Sequence, residues 1–273
     1  MSLGELVWDE RELPQPQRTL AGQAYNCAKH AQRLGADARL VSAIGDDELG
    51  QQALAELARA GFAADGITAV PVSPTASVRV EQGSAGPQYV PLTRLDWARF
   101  EFELQLAGAL AGAEALLFGA FLQGTLLPQP RLERALSGSA RPRFVACDLN
   151  LRRAIAAEPL RELVRLCSFI KLNDVELGRV AESAGAEPIR FLLESPGLAF
   201  VVETRGKVGA VLHTREQSVD VPARPLERVD SVGAGDALFA ALSCSLLRGD
   251  PPHAALVRAV AYATSALEHG ASR

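Results

Sequence analysis

Arg143–Gly185 reads RFVACDLNLRRAIAAEPLRELVRLCSFIKLNDVELGRVAESAG. Two short apolar runs, "FVAC" at 144–147 and "SFIKL" at 168–172, are each followed by a stretch with helical spacing of apolar residues, near 158–166 and from Asp174 onward. Strand, helix, strand, helix in this order predicts parallel strands joined by crossover helices, in a sheet covered on both faces. Ligands of such sheets lie beyond the carboxyl ends of the strands. Polar groups stand at those ends: Asp148-Leu149-Asn150-Leu151-Arg152 after the first run and Asn173-Asp174-Val175-Glu176 after the second. Each has a purely structural alternative, since Asn173 can cap its helix and Glu176, three residues on, can complete a capping box.

The same rhythm extends outward. "GQAYNCAKHAQRLG" (22–35) reads as a helix, "ARLVSAIG" (38–45) as a strand, and "DDELGQQALAELARAG" (46–61) as a helix with acids in its first turn and Gly61 at its end. Between 67 and 94 the segments "ITAVPV", "ASVRVEQG" and "PQYVPL" alternate apolar with polar residues between Pro and Gly, which predicts a small antiparallel sheet inserted in the domain, with one wet face. Residues 9–20 are a possible contributor to it. Beyond it come a strand "ALLFGA", a helix near 128–138, and a strand "LAFVVET" that ends in Thr204-Arg205-Gly206. A hairpin of "VGAVLHT" with "EQSVDVPA" follows, then helices over 233–249 and about 252–269.

With 273 residues, 48% hydrophobic and 22% charged, the chain suits one globular α/β domain over 1–273. Its apolar runs fall far short of the roughly 18 residues of a membrane span, and no signal peptide is read. The net charge of −4 with dispersed basic residues argues against a nucleic-acid partner. Cys27, Cys147, Cys167 and Cys244 lie far apart in apolar segments, as reduced thiols of a cytoplasmic protein do. The four histidines show no metal-ligand spacing.

"DSVGAGDALF" at 230–239 sets two glycines and an acid before an apolar helix. Glycine lets the chain turn tightly, and the unpaired amides and dipole of a helix start attract phosphate oxygens. An anion hole beside a carboxylate suits phosphoryl transfer to a hydroxyl, with Asp236 as general base, kept ionised by the helix dipole. Simple helix capping by Asp236 is the bland alternative. Glu176 is the candidate for magnesium. Walker A, dinucleotide-binding G-x-G-x-x-G and G-x-S-x-G patterns are all missing from the chain.

"DSVGAGDALFAAL" resembles the signature of the PfkB (ribokinase-like) carbohydrate kinases, written D-T-V-G-A-G-D-x-F. "KLNDVEL" is similar to the family's N-x-x-E motif, "LAGQAYNCAKHAQRLGADARLVSAIGDDELG" to its sugar-binding signature, and "GELVWD" to the end of its opening strand. The resemblance implies a three-layer α/β fold with a mostly parallel central sheet and a small β-sheet lid at 67–94. It implies ATP and Mg2+ as cofactors, with a monovalent cation such as K+ as a further candidate. It also implies that Asp9, Gly22 and Asn26 bind sugar hydroxyls, that Asp236 is the base, and that Gly233, Ala234 and Gly235 form the anion hole. Asn173 and Glu176 would arrange phosphates and magnesium, and Thr204 and Gly206 would line the nucleotide site. Within the family the segments "LLFGAFLQ", "CDLNLR", "IKLNDVEL" and "RLDWARF" look most like fructokinases and 2-keto-3-deoxygluconate kinases. The reading leans to fructose, with Arg152 as a contact to substrate or phosphate; a surface salt bridge is the alternative for that arginine.

Ser231 replaces the usual threonine, Ala21 stands where a first glycine is normal, and the start Met1-Ser2-Leu3 implies a clipped first strand. Ribose, nucleosides or a sugar acid remain alternative acceptors, and a sugar-binding paralogue without turnover is the non-enzymatic alternative. A homodimer that covers the apolar face of the lid is also expected, because so thin a sheet needs cover.

Overall fold

The structure is a computed structural model, and it describes residues 1–11, 17–83, 86–122, 125–126, 129–137, 141–185, 187–226 and 232–269. Asp230 and Ser231 lie outside the described residues. The elements in chain order are β1 (Ser2–Leu3), β2 (Val7–Arg11), β3 (Gln17–Ala21), α1 (Gln23–Arg33), β4 (Leu40–Gly45), α2 (Glu48–Arg59), β5 (Ile67–Val70), β6 (Ser77–Gly83) and β7 (Gly86–Thr93). They continue with α3 (Phe102–Leu110), β8 (Ala115–Gly119), the short pair β9 (Phe121–Leu122) and β10 (Thr125–Leu126), α4 (Gln129–Ser137), β11 (Phe144–Asp148), α5 (Ala157–Arg165), β12 (Phe169–Asn173) and α6 (Asp174–Ala184). The last are α7 (Pro188–Leu193), β13 (Phe200–Thr204), β14 (Gly209–His213), β15 (Ser218–Pro222), α8 (Ala234–Leu247) and α9 (Pro252–Glu268).

Nine strands form the large sheet in the order β15-β14-β13-β12-β11-β8-β1-β4-β5. All neighbours from β13 to β5 pair parallel, and the hairpin of β14 and β15 adds an antiparallel edge. Apolar residues on one face of the strands pack with α3 to α7, as in the cluster of Leu116, Cys147 and Ile170 with Leu106, Leu132, Leu163 and Phe191. The opposite face packs against α8 and α9, with α1 and α2 beside them. Phe169 is the hub of that side: its ring stacks on Phe200 at 4.9 Å and meets Phe144 and Phe239 at 5.5 and 5.9 Å. The three layers are those expected when helices cover both faces of a mostly parallel sheet.

A small four-stranded sheet, in the order β3-β2-β6-β7, stands apart from the large one. It draws on 7–11 and 17–21 as well as on 77–83 and 86–93. Ile67–Val70, expected in this sheet, instead pairs parallel with Ser42–Gly45 as the outer strand of the large sheet. Its physical cause is the intervening helix α2, which completes a right-sized β-α-β crossover, while the exposed outer side of an edge strand mimics the alternation of a half-solvated hairpin. The helix α3 was not anticipated in the sequence. The first strand is two residues long and still bridges β4 and β8 inside the sheet, third from one edge.

Candidate active site

Register brings the site together. Asp148 ends β11 and Asn173 ends β12, and the parallel pairing sets Asp148 directly opposite Lys171. These strand ends, the N terminus of α8 and the inner side of the small sheet enclose a cavity of about 780 Å3. Of the residues singled out in the sequence, Asp9, Gly22, Asn26, Arg152, Asn173, Glu176, Gly233, Gly235 and Asp236 line it. Ala234 stands in the same turn of α8 but is not a lining residue, and Thr204 and Gly206 also lie outside the cavity wall. Thr204 sits beside Asn173 in the β12–β13 register and donates its hydroxyl to the Leu172 carbonyl at 3.2 Å.

Gly233 holds φ +82°, the left-handed conformation in which glycine is unstrained, and it begins α8 with no side-chain cap. Among the described residues the amides of Ala234, Gly235 and Asp236 find no acceptor, as expected of a first helical turn. A methyl at Gly235 would lie 2.9 Å from Lys171 Nζ, so the absent side chain is what admits the ammonium to this turn. Gly22 precedes α1 with φ +114°, and a Cβ there would come within 2.3 Å of the Glu5 carbonyl oxygen. That close approach aims the first turns of α1 at α8. Asn26 Nδ2 then donates to Asp236 Oδ2 at 2.8 Å, while Asn26 Oδ1 is buried with no partner among the described residues.

Burial and, next, the nearby Asp148 carboxylate push the Asp236 pKa up to about 7; the Asn26 amide, Lys171 and Arg152 act in the opposite sense. Against the expectation that the helix dipole keeps this acid ionised, dehydration and a like charge act to raise its pKa. Glu176 is likewise raised to about 7, by burial first and Asp148 second. Lys171 stays charged, because the attraction of Asp148, Glu176 and Asp236 overcomes the burial that opposes it.

The capping alternative for Asn173 and Glu176 is realised in full. Asn173 Oδ1 accepts from the Glu176 amide at 2.8 Å, and Glu176 accepts from the Asn173 amide and Nδ2 at 3.3 and 3.0 Å. Both still face the cavity. No group of three or more His, Cys, Asp or Glu residues among the described residues is arranged to hold a metal ion. A lone, hydrogen-bonded Glu176 fits magnesium that keeps its waters and binds mainly to phosphates.

Several cavity residues carried no role in the sequence reading. Lys171 and Asp148 form a buried ion pair at 2.8 Å. Tyr89 enters from β7, and the Arg152 guanidinium lies over its ring at 5.3 Å from the centroid. Arg94 and Arg153 also line the wall. The sequence signals for the ion pair were a charged lysine inside the apolar run "SFIKL" and the polar group Asp148 at the end of the neighbouring strand.

A mostly parallel sheet with a separate small sheet, and an acid in the first turn of a helix between them, is an α/β arrangement whose chemistry suits phosphoryl transfer. A family model described as "pfkB family carbohydrate kinase" matches residues 8–273, and the chain belongs to that family. A putative sugar kinase of Pyrococcus horikoshii is 26% identical over 234 residues, 83% of this chain and 73% of the relative. Its structure, solved with ATP, superposes with a TM-score of 0.77 over 98% of this chain and 91% of that one at 22% identity. A fructokinase of Rhizobium leguminosarum bv. trifolii is 27% identical over 236 residues, 82% of this chain and 71% of the relative. A nucleoside kinase of Burkholderia thailandensis, solved with inosine, has the same fold at a TM-score of 0.81 and 20% identity, over 99% of this chain and 90% of that one. All four cysteines are unpaired and buried, and no helix among the described residues is long and apolar enough to cross a membrane.

Proposed function

We propose that the protein transfers the γ-phosphoryl group of ATP to a hydroxyl of a small sugar, with fructose the first acceptor to test. The observation that carries the reading is the pairing of the cavity-facing Asp236 with the amides of its own helix start, which find no acceptor among the described residues. In the proposed step the sugar oxygen attacks phosphorus, the bond to the ADP oxygen breaks, and Asp236 takes the hydroxyl proton. The amides of Gly233, Ala234 and Gly235 receive the charge that spreads over the transferred group. Asn26 orients the base through its 2.8 Å hydrogen bond, and its Oδ1, unpaired among the described residues, suits sugar hydroxyls together with Asp9 and Gly22. Asn173, Thr204 and Gly206 are assigned to the nucleotide. When bound, magnesium would neutralise phosphate charge, and Glu176 would hold it through water; a monovalent cation such as K+ is a further candidate cofactor.

The small sheet serves as the lid, with Tyr89 on its cavity side. Val90 and Leu92 alternate to the other side of β7 and are 39% and 40% exposed, which supports a homodimer formed through that face. We assign the protein to the cytoplasm, in keeping with its unpaired thiols.

The fructokinase relative favours fructose. Arg94, Arg152 and Arg153 around the cavity favour a second reading, an acidic sugar such as 2-keto-3-deoxygluconate, because guanidinium groups bind carboxylates in pairs. ADP release, coupled to a colour change, over a panel of fructose, 2-keto-3-deoxygluconate, ribose and nucleosides tests both. Turnover on one acceptor supports the kinase and names its substrate. Sugar binding without ADP release would instead support the sensing paralogue.

A further inference from the structure

Lys171 is 5% exposed and Asp148 2%, so their pair is removed from water at a cost that a purely structural role repays only if every donor and acceptor is satisfied. Here they are not satisfied. The ammonium has three donors, and its one hydrogen bond among the described residues is to Asp148 Oδ2 at 2.8 Å. Asp148 Oδ1 is buried and has no hydrogen-bond partner among the described residues. Lys171 lines the cavity and lies against Gly235, in the same turn whose amides are open. A buried cation with spare donors, set beside amides that have no acceptor among the described residues, is built for the oxygens of an anion.

We propose that Lys171 is a catalytic cation whose ammonium, aimed by Asp148, donates to the oxygens of the transferring phosphoryl group at the N terminus of α8. The inference rests on the phosphoryl-transfer reading above. The balance of the step is unchanged: the oxygen–phosphorus bond to the sugar forms, the bond to ADP breaks, and the proton passes to Asp236. Lys171 keeps its own protons throughout. Asp148 is a positioning residue that holds the ammonium on the cavity side. The charged groups around this centre are Asp148, Glu176, Asp236 and Arg152, with the Asn26 amide. Removing the positive charge therefore leaves three carboxylates facing each other.

Lys171→Met alone strands Asp148 and threatens folding, so the deciding variant is Lys171→Met with Asp148→Asn, which removes both charges together. Turnover, affinity for ATP and ADP, and thermal unfolding are measured for wild type, both single variants and the pair. The expected result is a double variant folded like wild type, with kcat lowered about 10²–10³-fold, the effect of losing one donor to a transition-state oxyanion. KM for the sugar should change little. ATP affinity should fall while ADP, which lacks the transferred group, binds as before. Lys171→Arg, which keeps the charge, should recover part of the turnover. A double variant with wild-type turnover and an unchanged preference for ATP over ADP would reduce the pair to a structural one. Wild type that releases ADP with no acceptor would instead overturn the kinase reading and this inference with it.

Discussion

Replacing Asn26 by alanine removes the 2.8 Å hydrogen bond that Asp236 receives from its amide. A hydrogen bond to a charged group contributes about 1.5–3 kcal/mol. At 1.36 kcal/mol per pKa unit, that is a further rise of about one to two units in the Asp236 pKa. Starting from about 7, the carboxyl is about half ionised at pH 7 in wild type. After the substitution the ionised fraction at pH 7 falls to between about 10% and 1%. The base function would drop about 5- to 50-fold at that pH and recover as the pH is raised. The assay is kcat/KM for the acceptor between pH 5 and 9.5, because its acidic limb reports the free enzyme's base. Any loss of direct sugar contact by Asn26 lowers the alkaline plateau without moving the limb, so the two effects separate. A limb at the wild-type position would refute the claim that Asn26 tunes Asp236.

Other tests bear on stability and assembly. The Asp236 pKa is 3.8 in the unfolded reference and about 7 in the folded chain, so between those values the native state binds more protons and stability falls as pH rises through that window. Asp236→Asn should therefore raise the melting temperature at pH 8 and raise it less at pH 5; an equal shift at both would contradict the assigned pKa. Phe169→Ala removes the hub of three ring contacts and should cost about 3–5 kcal/mol in urea unfolding. Gly22→Ala forces a methyl to 2.3 Å from a carbonyl oxygen at a left-handed φ, and a loss of about 2–4 kcal/mol is expected on the same measurement. Sedimentation should show a dimer at micromolar concentration that Val90→Lys with Leu92→Lys dissociates; a wild-type monomer would remove that proposal.

The large sheet was legible because strands such as Phe144–Asp148 and Phe169–Asn173 carry short apolar runs between helical patterns, a local signal. Ile67–Val70 misled because an edge strand and a half-solvated hairpin share the same alternation, and partner choice is not local. Phe102–Leu110 escaped notice because "FELQLAGAL" is apolar on nearly every side and shows little helical contrast. The motif residues at 233–236 and Asn26 were readable as a resemblance, and the cavity places them side by side. The pairing of Asp148 with Lys171 depends on the β11–β12 register, which no stretch of sequence states. The raised pKa of Asp236 depends on burial and on that same Asp148, so helix-dipole reasoning on the local motif predicted the wrong sign.

The central claim, that Asp236 removes the acceptor's proton at the start of α8, is tested most directly by single-turnover phosphoryl transfer in Asp236→Asn with saturating ATP and sugar. The account predicts a rate lower by about 10²–10⁴-fold with sugar affinity retained. Transfer at the wild-type rate would contradict it.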